Sequence, residues 1–214
     1  MSFLIDSSIA CAILAGGKNS RMGRDKAFLQ VGGVPIIQRT LALLKGISEE
    51  VIIVTNSPRD YSLYKKDSLI VADIIKDAGP LGGIHSALSH TSKKSVFFIA
   101  CDMPFLHNDI ITRQFQLFNK TDCDAFIPRI GGFIEPLHAI YKSKLKNNLS
   151  LFIKKSDNYS IRRWLEAVNV SYFDLEGNAD NKNIFKNINT PYDLDILLCR
   201  DRPLCLSDII IKII

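Results

Sequence analysis

Four runs of residues, each apolar throughout, follow one another along the first half of the chain: Cys11-Ala12-Ile13-Leu14-Ala15, Val51-Ile52-Ile53-Val54, Leu69-Ile70-Val71-Ala72 and Val96-Phe97-Phe98-Ile99-Ala100. A strand that lacks polar alternation is buried on both faces, the situation of parallel sheets covered by helices on each side. The segments between the runs carry helical periodicity. Pro35 opens a helix whose apolar stripe is Ile37, Leu41 and Leu44, closed by Gly46. Gly79-Pro80-Leu81-Gly82-Gly83 leads into a helix with Ile84 and Leu88 on one face, and Asn108 caps a helix whose inner face is Ile111, Phe115 and Phe118. Strands alternating with helices predict an α/β fold: a doubly wound, mostly parallel sheet in three layers.

Beyond about residue 123 the alternation loosens. Ala125-Phe126-Ile127-Pro128 and Leu137-His138-Ala139-Ile140-Tyr141 read as further strands. Ser160 caps a short basic helix containing Arg162, Arg163 and Trp164, and Thr190-Pro191-Tyr192-Asp193 reads as a helix start. The 214 residues suit a single domain, 1–214, with halves at about 9–122 and 123–198 and a C-terminal extension, 199–214.

Composition narrows the function classes. The net charge of +5 suits a phosphate-rich ligand or weak contact with nucleic acid, but the basic residues are scattered and lack interleaved aromatics. The five cysteines form no CxxC pair, so reduced thiols and a cytoplasmic location are expected. No apolar run approaches the ~20 residues of a membrane span, and the first residues lack the basic region of a leader. No membrane partner and no nucleic-acid partner are expected.

The functional signal lies in how the apolar runs end. Each stops on glycine or a polar residue: Gly16-Gly17, Asn56, Asp73 and Asp102. In open α/β sheets the ligand crevice lies outside the carboxyl ends of the strands, so these four endings are expected to converge on one cleft. After the first run, Gly16 and Gly17 allow close backbone approach to phosphate, and Arg21 and Lys26 add positive charge on the same segment. That arrangement suits a triphosphate, with Lys26 and Arg21 as candidate catalytic cations that neutralise a departing pyrophosphate. The spacing matches neither GxxxxGK[ST] nor GxGxxG, which counts against P-loop ATPases and dinucleotide oxidoreductases.

Asp102 follows five apolar residues and one cysteine, where an unpaired carboxylate is costly. A cation partner is expected, and Mg²⁺ held by one or two carboxylates plus substrate phosphates is the usual form of such a site. By composition alone Asn56 and Asp73 fit plain turns, the glycines at 79–83 fit either a helix start or a loop closing on a ligand, and Arg162-Arg163 fit either a solvated face or an acceptor-phosphate contact. His85, His90, His107 and His138 show no metal spacing.

These residues resemble the molybdenum cofactor guanylyltransferase family. LAGGKNSRMGRDK at 14–26 is similar to its N-terminal motif. Val71-Ala72-Asp73 followed by GPLGGIHSAL, then FIACDMPFL, IEPLHAIY and NINTPYDL, match in the expected order across about residues 9–198. The resemblance implies a Rossmann-like nucleotidyltransferase fold and transfer of GMP from GTP to the molybdenum–molybdopterin cofactor, with Mg²⁺ and release of pyrophosphate. It places Leu14, Ala15, Gly16, Lys26, Asn56 and Asp73 at the nucleotide, Asp102 at nucleotide and metal, and Asn187 and Asn189 on the acceptor side. Gly16-Gly17 looks like the guanylyl members rather than relatives that use CTP; a CTP or sugar-phosphate relative is the alternative. Molybdopterin-handling proteins and a client molybdoenzyme are the implied protein partners.

Overall fold

The structure is a computed structural model, and it describes residues 7–15, 25–177, 184–185 and 187–188. In chain order the strands are β1 (Ile9–Leu14), β2 (Gln30–Val31), β3 (Val34–Pro35), β4 (Val51–Val54), β5 (Leu69–Val71), β6 (Ser95–Ala100), β7 (Ala125–Ile130), β8 (Phe133–Ile134), β9 (Ile140–Lys142) and β10 (Val170–Leu175). The α-helices are α1 (Ile36–Lys45), α2 (Pro80–His90), α3 (Asn108–Phe118), α4 (Leu145–Lys155) and α5 (Ile161–Leu165).

The main sheet has the order β10-β7-β9-β6-β1-β4-β5, with β8 paired to β7. β1 pairs in parallel with β4 and β6, β4 with β5, and β7 with β10. β9 is antiparallel to both β6 and β7, so β7 and β10 run in the same direction as β6. The sheet is therefore mostly parallel, as expected. The last third extends it rather than forming a separate body.

Side chains alternate across β1 and split the core in two. Ile9, Cys11 and Ile13 pack with α1 (Ile37, Leu41, Leu44) and α3 (Ile111, Phe115, Phe118) on one face. Ala10, Ala12 and Leu14 pack with α2 (Leu81, Ile84, Leu88), α4 (Leu149, Ile153) and α5 (Trp164, Leu165) on the other. Burial on both sides explains why the runs carry no polar alternation.

Two helix starts differ from the sequence reading, and the strand read at Leu137–Tyr141 is observed at Ile140–Lys142. Pro35 sits before α1 with extended backbone (φ −56°, ψ 141°), ending β3 rather than occupying the helix. Asn108 is the first helical residue of α3, not its cap; the cap position is His107, which makes no side-chain cap bond. In each case the helix boundary is displaced by one residue from the place the sequence preference gives it. Thr190 and Cys199–Ile214 lie outside the described residues.

Of the two readings of residues 79–83, the helix start is the one observed. Gly79 has φ +57° and ψ −144°, a conformation open to glycine, and Pro80 begins α2. A β-carbon at Gly82 would lie 2.7 Å from the Ile75 carbonyl oxygen. Backbone cannot rotate out of the way, so Gly82→Ala should lower the unfolding free energy by about 1–3 kcal/mol. Denaturant unfolding checks this, and an unchanged midpoint would contradict the close approach.

His138 is fully buried. Its ring stands edge-on to Phe97 (centroids 4.9 Å) and Phe185 (5.1 Å), with no hydrogen-bond partner for either nitrogen among the described residues. Burial lowers its pKa to about 4, so it is neutral in the fold. The unfolded chain then binds the extra proton between pH 6.5 and about 4. Stability contributed by this residue is complete above that window and is lost as pH falls through it, a total of about 3 kcal/mol. His138→Leu should flatten the acid limb of the stability–pH curve over that range; an unaltered slope would count against the assignment.

Candidate active site

Strand register brings the four endings level. Leu14 pairs with Val54 and with Ala100, and Val54 pairs with Val71. The backbone ladder continues one residue further: Ala15 N–H donates to Val54 O (2.8 Å), Thr55 N–H to Val71 O (2.9 Å) and Cys101 N–H to Leu14 O (3.1 Å). Asn56, Asp73 and Asp102 thus follow directly on one row at the carboxyl edge. β1 lies at the point where the chain reverses its order of adding strands, between β4 on one side and β6 on the other. This is where open α/β sheets form their crevice.

On the β4–β5 side, Asn56 Nδ2 donates to Asp73 Oδ2 (2.7 Å), and Lys76 Nζ donates to Asn56 Oδ1 (2.9 Å). The first turn of α2 comes close to this group. A β-carbon at Gly83 would lie 3.0 Å from Leu14 Cδ2 and 3.7 Å from Asp73 Oδ1. Leu14, Asp73 and a helix N-terminus therefore share one corner, where unpaired amide N–H groups and the helix dipole favour negative charge.

On the β1–β6 side, Lys26 Nζ donates to Asp102 Oδ2 at 3.2 Å, although 76 residues separate them. Their side chains are 21% and 19% exposed, so the pair opens to solvent while the strands behind it are dry. In the fold the cation beside the Asp102 carboxylate is this ammonium. Lys26 begins a 3-10 turn, Lys26–Phe28, that buries Ala27 completely. Leu29 O then accepts from Ile36 N–H (2.9 Å), tying the turn to α1. Gly16, Gly17 and Arg21 of the same motif lie outside the described residues.

Asp102 is held from the far end of the chain as well. Ile188 N–H donates to Asp102 O (2.9 Å), which brings Asn187 beside it. Asn187 Oδ1 is buried and has no hydrogen-bond partner among the described residues. Asn189 lies outside them.

Sequence reasoning assigned no role to Glu135. Its Oε1 accepts from Leu137 N–H (3.2 Å), and Leu137 O accepts from Ala100 N–H (3.1 Å), beside the end of β6. Burial pushes the Glu135 carboxyl above its usual range, the negative charge of Asp102 adds to this, and Arg162 opposes it. Arg162 and Arg163 are exposed on α5, which Ser160 caps and the fully buried Trp164 anchors through Nε1 to Asn148 Oδ1 (2.8 Å). A carboxylate before proline at the start of a strand run was the available signal. Its proximity to Asp102 depends on the antiparallel placement of β9, which the sequence pattern does not reveal.

Among the described residues the cysteines at this edge offer no reactive thiol. Burial, then the charges of Asp102 and Asp25, push the Cys101 thiol up, and burial pushes Cys11 up to about 12. Both are inert thiols at neutral pH. No cluster of three or more metal-ligating His, Cys, Asp or Glu side chains occurs among the described residues, and no helix among them is long and apolar enough to cross a membrane.

The family described as MobA-like NTP transferase domain matches residues 11–171. The probable molybdenum cofactor guanylyltransferase of Peptoclostridium acidaminophilum is 36% identical over 191 residues, covering 85% of each chain. The molybdenum cofactor guanylyltransferase of Vibrio parahaemolyticus is 33% identical over 184 residues, covering 85% of this chain and 91% of that protein. The crystal structure of molybdopterin-guanine dinucleotide biosynthesis protein A from Archaeoglobus fulgidus superposes with a TM-score of 0.74 at 28% identity, covering 88% of this chain and 96% of the other. With its strand-end row, its Lys26–Asp102 pair and these relatives, the chain belongs to the MobA-like nucleotidyltransferases, the family of the molybdenum cofactor guanylyltransferases.

Proposed function

We propose that the protein transfers GMP from GTP to the terminal phosphate of the molybdenum–molybdopterin cofactor, forming the guanine dinucleotide and releasing pyrophosphate. The observation that carries this reading is the Lys26–Asp102 pair at the carboxyl edge between β1 and β6. It sets a cation and an anion side by side, partly open to solvent, where a triphosphate and a divalent metal would have their charges met.

In the reaction an acceptor phosphate oxygen forms a bond to the α-phosphorus of GTP, and the bond from that phosphorus to the β-bridging oxygen breaks. A phosphate monoester is already anionic near neutral pH, so no strong general base is needed. Alignment and charge neutralisation do most of the work. Leu14 and Ala15, with Gly16 and Gly17, line the guanine and ribose. Asn56 and Asp73 fix the nucleoside from the β4–β5 side. Lys26, with Arg21, neutralises charge that builds on the departing pyrophosphate.

The donor set suits Mg²⁺, which takes hard oxygen ligands. The Asp102 carboxylate would hold it, and Asn187 Oδ1, which has no hydrogen-bond partner among the described residues, would offer a further hard oxygen from the segment that bonds the Asp102 backbone. When bound, Mg²⁺ supplies Lewis-acid polarisation of the α-phosphate oxygens. Asn187, Asn189 and the exposed Arg162 and Arg163 form the acceptor side, giving the one domain a nucleotide half (9–122) and an acceptor half (123–198). This chemistry belongs in the cytoplasm, with molybdopterin-handling proteins and a molybdoenzyme as partners.

The test is a side-by-side comparison of GTP, CTP, ATP and UTP with Mg²⁺ and molybdopterin acceptor, scored by pyrophosphate. Release with GTP is the expected result. Release with CTP alone would overturn the choice of nucleotide.

A further inference from the structure

The turn that presents Lys26 is fastened at two points by one side chain. Asp25 precedes the turn. Its Oδ1 accepts from Ala27 N–H (3.1 Å), a local cap that any such turn can make. Its Oδ2 accepts from Tyr61 Oη–H at 2.7 Å, a bond spanning 36 residues. Tyr61 is fully buried, and its ring packs against Phe28 in the same turn (centroids 4.9 Å, tilted 44°) and near Tyr64 (6.4 Å). Burial, followed by the hydrogen bond to Asp25, raises the phenol pKa, so Tyr61 remains a donor throughout the neutral range. The connection from β4 to β5 that carries Tyr61 also carries Asn56, which hydrogen-bonds Asp73. One connection therefore contacts both halves of the candidate site.

The proposed function gives Asn56 of this connection a part but leaves Tyr61 without one. The cap alone fixes the shape of the turn but not its orientation against the sheet. That orientation determines where the Lys26 ammonium lies relative to Asp102. We infer that Tyr61 is a positioning residue for the transfer reaction: its hydroxyl, through Asp25, holds the Lys26 turn so that the ammonium faces Asp102 across the β1–β6 edge. The inference rests on Lys26 acting on the triphosphate. Tyr61 itself touches no substrate. A buried tyrosine whose hydroxyl is merely satisfied by a nearby carboxylate is the structural alternative, and it makes different predictions.

Tyr61→Phe keeps the ring and its packing and removes only the hydroxyl. In the whole protein, with Mg²⁺, GTP and molybdopterin acceptor, Tyr61→Phe should lower kcat about 10- to 100-fold, as misplacement of a catalytic group by about 1 Å does. The KM for GTP should change less than about 3-fold, because the nucleoside contacts are untouched. In a Lys26→Ala background the same substitution should have almost no effect on kcat, since its action runs through Lys26. A kcat within 2-fold of wild type, or an equal fold-loss with and without Lys26, would overturn the positioning role. A loss of thermal stability accompanied by equal falls in both backgrounds would make Tyr61 structural and would likewise overturn it. Wild-type protein that releases no pyrophosphate from GTP but does so from CTP overturns the choice of nucleotide, and the ratio between backgrounds, measured with CTP, still decides the positioning role.

Discussion

Asp102→Ala should lower kcat by roughly 1000-fold while the protein remains folded. Metal-assisted charge stabilisation is worth several kcal/mol, and each ~1.4 kcal/mol is a factor of ten in rate. The side chain is 19% exposed and contacts Lys26 at the edge of the sheet, so its removal leaves no cavity in the core. The melting temperature should stay within a few degrees of wild type, as for substitutions away from packed sites. Pyrophosphate release measured across a Mg²⁺ titration checks the assignment. The variant should show a flat metal dependence. Wild-type turnover with wild-type metal dependence would remove Asp102 from the mechanism.

Lys26→Ala should cost about 1.5–3 kcal/mol of transition-state stabilisation, the loss of a charge-assisted contact, read as a fall in kcat/KM of roughly 10- to 150-fold. Arginine keeps the charge but presents a planar fork on a different stem, so Lys26→Arg should recover only part of the loss. If the ammonium acts on the leaving pyrophosphate, the fall appears in kcat more than in KM. Equal GTP turnover in the alanine variant would show that the pair with Asp102 is a surface ion pair, a class usually worth little.

The sheet was readable in advance because its strands are buried on both faces. Val51–Val54 carries no polar residue at all, and both of its faces lie in the core, one against each helical layer. The site edge was readable because polar residues end those strands together: Asp73 and Asp102 each stand two places after the last strand residue. Direction was harder. Ile140–Lys142 is three residues long, and nothing in three residues says that the strand runs against β6 and β7. Glu135 therefore stayed hidden, since only that placement brings its carboxyl toward Asp102. Asp25 and Tyr61 stayed hidden for a related reason. Aspartate before a turn and tyrosine in a connection are common, and only tertiary packing shows that one oxygen serves both. That Lys26 and Asp102 share one cleft follows from the strand endings; that their side chains pair across 76 residues shows only in the tertiary structure.

The account depends on Lys26 and Asp102 forming two sides of one substrate site. A crystal structure with Mg²⁺ and a non-transferable GTP analogue tests this most directly. The account predicts the metal at about 2.0–2.1 Å from an Asp102 carboxylate oxygen, with the Lys26 ammonium hydrogen-bonded to a phosphate and the guanosine reaching toward Asn56 and Asp73. An ordered analogue bound away from the carboxyl ends of β1 and β6, with neither side chain touching phosphate or metal, would contradict it.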